Sequence, residues 1–212
     1  MKTLLLLSSS GFLENDLSKI LDKPLKKYRL AHIITASKGE GVDSLVYLER
    51  TRDRLKKHNC DFEDIDIDGK TEVELRSILK NFNGVLVNGG STFYLLKSIR
   101  ESGFDKIIKE LLPQGFLYIG ASAGSYVVCP TIEMSLWEHQ DKYNHYGMTD
   151  FTGMNLVPFL ITVHYIPEDE ELLRKKIPQA NYPVRILTDQ QAILVKDEKY
   201  ILVGDSKEII FK

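Results

Sequence analysis

Short runs rich in apolar residues at residues 3–7, 30–35, 62–67, 85–88 and 116–119 alternate with longer amphipathic stretches. Strands that are apolar on both sides must be covered on both sides, and strand–helix alternation achieves this with a parallel sheet between two helical layers. Right-handed crossovers follow. The reading is an α/β, three-layer, doubly wound fold with a mainly parallel sheet. Among the helical stretches, residues 42–57 carry Val46, Leu48 and Leu55 amid charges. Residues 73–79 follow the capping box Thr71-Glu72-Val73-Glu74, and Ser91 is placed to cap a helix running to Arg100.

Beyond Pro130 the rhythm changes. Residues 131–150 are rich in His, Glu, Asp, Tyr and Trp without a clean period and read as a surface excursion. Residues 184–187, 192–195, 200–203 and 208–211 are short strand-like runs joined by tight turns, expected to finish the sheet as antiparallel hairpins. With 212 residues, 43% of them hydrophobic, the chain suits a single domain spanning 1–212 with a sizeable core. A net charge of −2 with scattered Lys and Arg offers no basic field for nucleic acid or a membrane surface. The opening four leucines are too short for a signal segment and read as a strand, so a cytoplasmic protein is expected. Cys60 and Cys129 lack a CxxC spacing and read as reduced, structural thiols.

The chemistry lies in Gly120-Ala121-Ser122-Ala123-Gly124, between an apolar strand and a second apolar stretch. Strand, Gly-x-Ser-x-Gly, helix is the layout of a nucleophile elbow, in which the glycines remove Cβ atoms that would collide and the serine hydroxyl stands clear. A serine needs a base. Of the five histidines, His164 ends the apolar run 159–163 and is placed best; His139 and His145 stay as alternatives, while packing or solvation accounts for His32 and His58. The oxyanion formed on attack needs N–H donors, one of them Ala123 at the helix start. Asn88-Gly89-Gly90-Ser91-Thr92 could supply the second, or could instead cradle a phosphate.

Taken in order, the run Val87-Asn88-Gly89-Gly90-Ser91-Thr92-Phe93-Tyr94-Leu95-Leu96, the elbow, Met154-Asn155-Leu156-Val157, Val163-His164-Tyr165 and the segment Leu187-Thr188-Asp189-Gln190-Gln191-Ala192-Ile193 resemble the peptidase E and cyanophycinase family of serine hydrolases. The resemblance implies a class I glutaminase-like sheet, Ser122 as nucleophile, His164 as general base, and Gly90 with Ala123 as oxyanion donors. Asn88 stands where the family commonly has glycine, which leaves Gly89 and Gly90 as alternatives for the first donor. In peptidase E an aspartate about fifteen residues past the serine orients the histidine; here that position is Trp137. Cyanophycinases use a glutamate slightly further on. Glu133, Glu138, Asp141 and Asp150 are the candidates, with Glu138 favoured, beside a backbone carbonyl orienting the histidine or a weakened triad.

The resemblance further implies a serine-type exopeptidase acting on dipeptides or small peptides, with an N-terminal aspartate as the family's substrate feature, and a monomer or homodimer. An acidic substrate would need a cation, for which Arg174, Lys175, Lys176 and Lys142 are at hand. No metal or organic cofactor is expected, because the His and Cys spacing suits no metal and no Gly-x-Gly-x-x-Gly follows the first strand. Two other readings stand beside this one: a non-catalytic peptide or amino-acid binder, suggested by Trp137, and a nucleotide-binding α/β protein using the Asn88 to Thr92 loop.

Overall fold

The structure, a computed structural model, describes residues 2–39, 42–137, 146–204 and 207–211. In chain order the regular elements are β1 (Thr3–Leu7), β2 (Arg29–Ile33), α1 (Val42–Lys57), β3 (Asp61–Ile65), α2 (Glu72–Leu79), β4 (Gly84–Val87), α3 (Thr92–Ser102), α4 (Phe104–Leu111), β5 (Leu117–Ala121) and α5 (Ala123–Tyr126). They continue with β6 (Leu160–Thr162), α6 (Glu170–Lys176), β7 (Val184–Ile186), β8 (Gln191–Lys196) and β9 (Lys199–Gly204). The main sheet runs β3-β2-β4-β5-β1-β8-β9. Its first five strands are parallel, and β8 and β9 close it antiparallel.

Strand residues alternate between two cores. Leu4, Leu6, Ile33, Val85, Val87 and Tyr118 pack with side chains of α2, α3, α4 and α5. On the other face Leu5, Leu7, Leu30, Leu86 and Ile119 pack with Phe12, Leu13, Leu17 and Leu55. Both faces are sealed, as the apolar runs require.

The helix boundaries follow local chemistry. Thr71 and Glu74 form the reciprocal capping box that starts α2, with Thr71 N–H donating to Glu74 Oε2 at 2.8 Å. Ser91 Oγ accepts the Tyr94 N–H at 3.3 Å to start α3, and Gly103 at φ 71° ends it.

The C-terminal run differs from the expectation in two places. The segment at 184–187 does not join the main sheet; β7 pairs in parallel with β6 in a separate two-stranded sheet. Residues 208–211 form no strand and contribute one antiparallel bridge, Ile186 to Ile209. For the first segment the reason is edge occupancy, because β8, its neighbour in sequence, already spends one edge on β1 and the other on β9. Only the β8–β9 hairpin finishes the sheet.

His32, fully buried on β2, donates from Nδ1 to Asp64 Oδ1 at 2.7 Å, and Arg52 Nε reaches the other carboxylate oxygen at 2.8 Å. The His32 hydrogen bond foremost, together with Arg52, outweighs burial and lowers the Asp64 carboxyl to about 2. An unfolded aspartate titrates near about 3.9, so the ionised form contributes stability that is present above that pH and lost as pH falls toward 2. Asp64→Asn is therefore expected to be less stable than wild type at neutral pH by about 1 kcal/mol, after allowance for solvent screening. Urea titrations should show that gap closing between about pH 4 and pH 2.

Candidate active site

Residue 122 leaves β5 at the carboxyl end of the parallel strands. Ser122 has φ 51° and ψ −110°, a conformation that side chains seldom adopt. Neighbours hold it there. Its N–H donates to the Leu7 carbonyl at 3.1 Å, and its own carbonyl accepts the N–H groups of Ser125 (2.7 Å) and Tyr126 (3.0 Å). The Ser125 hydroxyl lies 2.7 Å from the Leu7 carbonyl and 3.0 Å from that of Gly120.

The flanking glycines are required by contact. A Cβ on Gly120 would lie 2.4 Å from the Gly124 carbonyl oxygen, and one on Gly124 would lie 2.2 Å from the Val87 carbonyl oxygen. Both obstacles are backbone. The turn after β4 is equally tight: a Cβ on Gly89 would meet Ser122 Cβ at 3.1 Å, and Gly90, at φ 134°, leaves 2.4 Å to the Ala36 carbonyl. Asn88, buried ahead of this turn, uses its side chain elsewhere, with Oδ1 accepting from Thr51 Oγ1 at 3.1 Å on α1.

His164 follows β6 at φ 60°, and its Nε2 lies 3.0 Å from Ser122 Oγ. Its strand belongs to the small second sheet rather than the main one, yet it delivers the imidazole to the elbow. On the opposite side, Nδ1 lies 2.6 Å from Asp189 Oδ1. The His164 hydrogen bond, against the opposing effect of burial, holds the Asp189 carboxyl below its ordinary range, and Ser8 adds to this. An ionised carboxylate can only accept, so the shared proton sits on Nδ1, and a neutral imidazole then presents Nε2 as an acceptor to the serine.

Ser122 and His164 thus meet as the sequence implied. Ala123 begins α5, where its N–H has no intrahelical acceptor, and the Gly89–Gly90 turn lies against Ser122. Glu138 and Asp141 lie outside the described residues, as do His139, His145 and Lys142. Glu133 sits in the 3-10 turn Glu133–Leu136, and Asp150 is occupied by the Thr152 N–H and Arg100. Trp137, at the position where the resemblance looks for a carboxylate, packs on the core. His58 bonds the Leu13 carbonyl through Nε2.

Asp189 was not singled out from sequence. It read as a turn residue in Thr188-Asp189-Gln190, and the available signal was an acid just past the carboxyl end of the run 184–187. Arg174 and Lys175 pair with Glu170 and Glu171 of their own helix, at 2.8 and 2.6 Å. Among the described residues, no cluster of three or more His, Cys, Asp or Glu could hold a metal ion, and no helix is long and apolar enough to cross a membrane.

A serine on an elbow, bonded to a histidine that is bonded in turn to a carboxylate, on a mostly parallel α/β sheet, defines the class: a serine hydrolase of the α/β type. The sequence model of Peptidase family S51 matches residues 4–203, and the chain belongs to that family. It is a peptidase. An uncharacterized peptidase of Listeria innocua is 31% identical over 80% of this chain and 81% of its own length. A "Probable alpha-aspartyl dipeptidase" of Drosophila melanogaster is 29% identical over 78% of this chain and 70% of its own. Among solved structures, a "Putative Peptidase E Protein" of Listeria monocytogenes superposes with a TM-score of 0.84 at 28% identity, covering 97% of this chain and 100% of that one.

The glycine contacts make a graded prediction. Gly124→Ala should cost about 3 kcal/mol or more, because the new methyl group meets the immovable Val87 carbonyl. Gly69→Ala, at φ 71° with open space around it, should cost only about 1 kcal/mol. Chemical denaturation of the two variants checks the difference.

Proposed function

We propose that this chain hydrolyses dipeptides or small peptides through an acyl-enzyme on Ser122, with an N-terminal aspartate as the favoured substrate feature. The observation that carries the reading is the continuous path from Ser122 Oγ to His164 Nε2 at 3.0 Å and from His164 Nδ1 to Asp189 Oδ1 at 2.6 Å. The names of the relatives support the substrate class.

In this reading Ser122 attacks the peptide carbonyl while His164 Nε2 takes its proton. The imidazolium so formed is stabilised by Asp189, whose carboxylate already holds Nδ1. The N–H groups of Ala123 and of the Gly89–Gly90 turn, Gly90 in particular, receive the oxyanion. His164 then returns the proton to the departing amine. A water activated by the same nitrogen frees the acyl group. The chain's own residues supply every proton transfer, and the reading involves no metal or organic cofactor. The two free, buried thiols, Cys60 and Cys129, suit a reducing compartment, and the reading places the enzyme in the cytoplasm.

A dipeptide library compared between wild type and Ser122→Ala tests the reaction. Loss of turnover by about 10⁶-fold is expected, and equal turnover by the two proteins would exclude the serine mechanism. The orienting carboxylate has its own test. Asp189→Asn should lower kcat by about 10⁴-fold, whereas Glu138→Gln should leave it within about twofold of wild type. The reverse pattern would assign the role to Glu138.

A further inference from the structure

Ser8 directly follows β1 and is wholly buried, yet its hydroxyl touches three other points of the chain. The His164 N–H donates to Ser8 Oγ at 2.7 Å. The same oxygen lies 3.2 Å from Asp189 Oδ1 and 3.3 Å from the Leu187 carbonyl. A hydroxyl has one proton and two lone pairs. With the His164 amide using a lone pair, that proton has two candidate acceptors, and the ionised carboxylate is the stronger.

We propose that Ser8 is a positioning residue of the hydrolytic site, holding the backbone of His164 and the carboxylate of Asp189 in register through one buried hydroxyl. The proposal rests on the reading of Ser122, His164 and Asp189 given above. Asp189 Oδ1 is the atom that His164 Nδ1 also reaches, so Ser8 fixes that oxygen from a second direction. His164 enters the site at φ 60°, and the N–H that Ser8 holds belongs to this unusual residue. The opposite side of the site hangs from the preceding residue, because the Leu7 carbonyl takes the Ser122 N–H. Leu7 and Ser8 thereby set nucleophile, base and carboxylate on one dipeptide.

A hydroxyl that merely satisfied a buried amide would matter for folding and leave the chemistry alone. The distinguishing property is dependence on Asp189. In Ser8→Ala the carboxylate loses one of its two anchors and the His164 amide loses its acceptor, so the imidazole no longer keeps its angle to Ser122. Misplacement of a base by a fraction of an ångström to about 1 Å costs up to about 10²-fold.

The test is the rate of covalent labelling by a fluorophosphonate, which reads the nucleophilicity of Ser122 without requiring a known substrate. It is measured for wild type, Ser122→Ala, Ser8→Ala, Ser8→Cys, Asp189→Asn and the Ser8→Ala/Asp189→Asn pair. Ser8→Cys fills the same space with a weak hydrogen-bonding group and serves where the alanine variant folds poorly. Ser8→Ala and Ser8→Cys should label about 10- to 100-fold more slowly than wild type. In the Asp189→Asn background, Ser8→Ala should slow labelling by clearly less than it does in wild type, leaving only the share carried by the His164 amide. Labelling of both Ser8 variants within about twofold of wild type would overturn the proposal while leaving Ser122 as nucleophile. An undiminished effect in the Asp189→Asn background would overturn it equally, since Ser8 would then not act through the carboxylate. Wild type that is folded and fails to label, or labels equally in Ser122→Ala, would remove the underlying reading and this proposal with it.

Discussion

The carboxyl end of β1 carries the site. Leu7 offers its carbonyl to the amide of Ser122 and lies within reach of the Ser125 hydroxyl, fixing the elbow against the centre of the sheet. That carbonyl, together with the Ser125 and Tyr126 amides on the Ser122 carbonyl, offsets the strain of the Ser122 backbone at φ 51°, a cost of about 1–3 kcal/mol. β1 can do this because it sits between β5 and β8, paired on both edges and buried on both faces. A strand held on four sides is a stiff support, and Ser122, His164 and Asp189 are gathered at its end.

Close backbone approach is the second constraint, and it explains why small residues recur where the chemistry is. Gly124 rides against the carbonyl of Val87, and Gly90 rides against that of Ala36. β4, β5 and the turns after them are thereby drawn together, and the Gly89–Gly90 turn lies against Ser122. The oxyanion donors proposed for Ala123 and the Gly89–Gly90 turn are backbone groups of these crowded turns, which in that proposal need little reorganisation when charge develops on a substrate oxygen.

Much of this was legible in the sequence, for identifiable reasons. The strands β1 and β4 announce themselves because double burial leaves no polar residue to confuse the runs Leu4-Leu5-Leu6-Leu7 and Val85-Leu86-Val87. The elbow is a contiguous motif whose glycines have a steric cause, and the capping box at Thr71 is likewise local. What was not legible depends on which strand edge remains free. The separation of β7 from the main sheet follows from β9 occupying the outer edge of β8, a fact of assembly and not of the β7 sequence. Asp189 was missed for the same reason. Its partner His164 is 25 residues away, and only the parallel pairing of β6 with β7 brings the ends of those strands together. Ser8, 156 residues from His164, carries no sequence signal of its role at all.

The account turns on where the proton lies on His164. Nitrogen NMR of selectively ¹⁵N-histidine-labelled protein, at a pH where this imidazole is neutral, reports directly which ring nitrogen carries it. The account predicts a protonated Nδ1, bonded to Asp189, and an unprotonated Nε2 facing Ser122. A neutral ring protonated at Nε2 would contradict it, because that nitrogen could not accept the proton of Ser122.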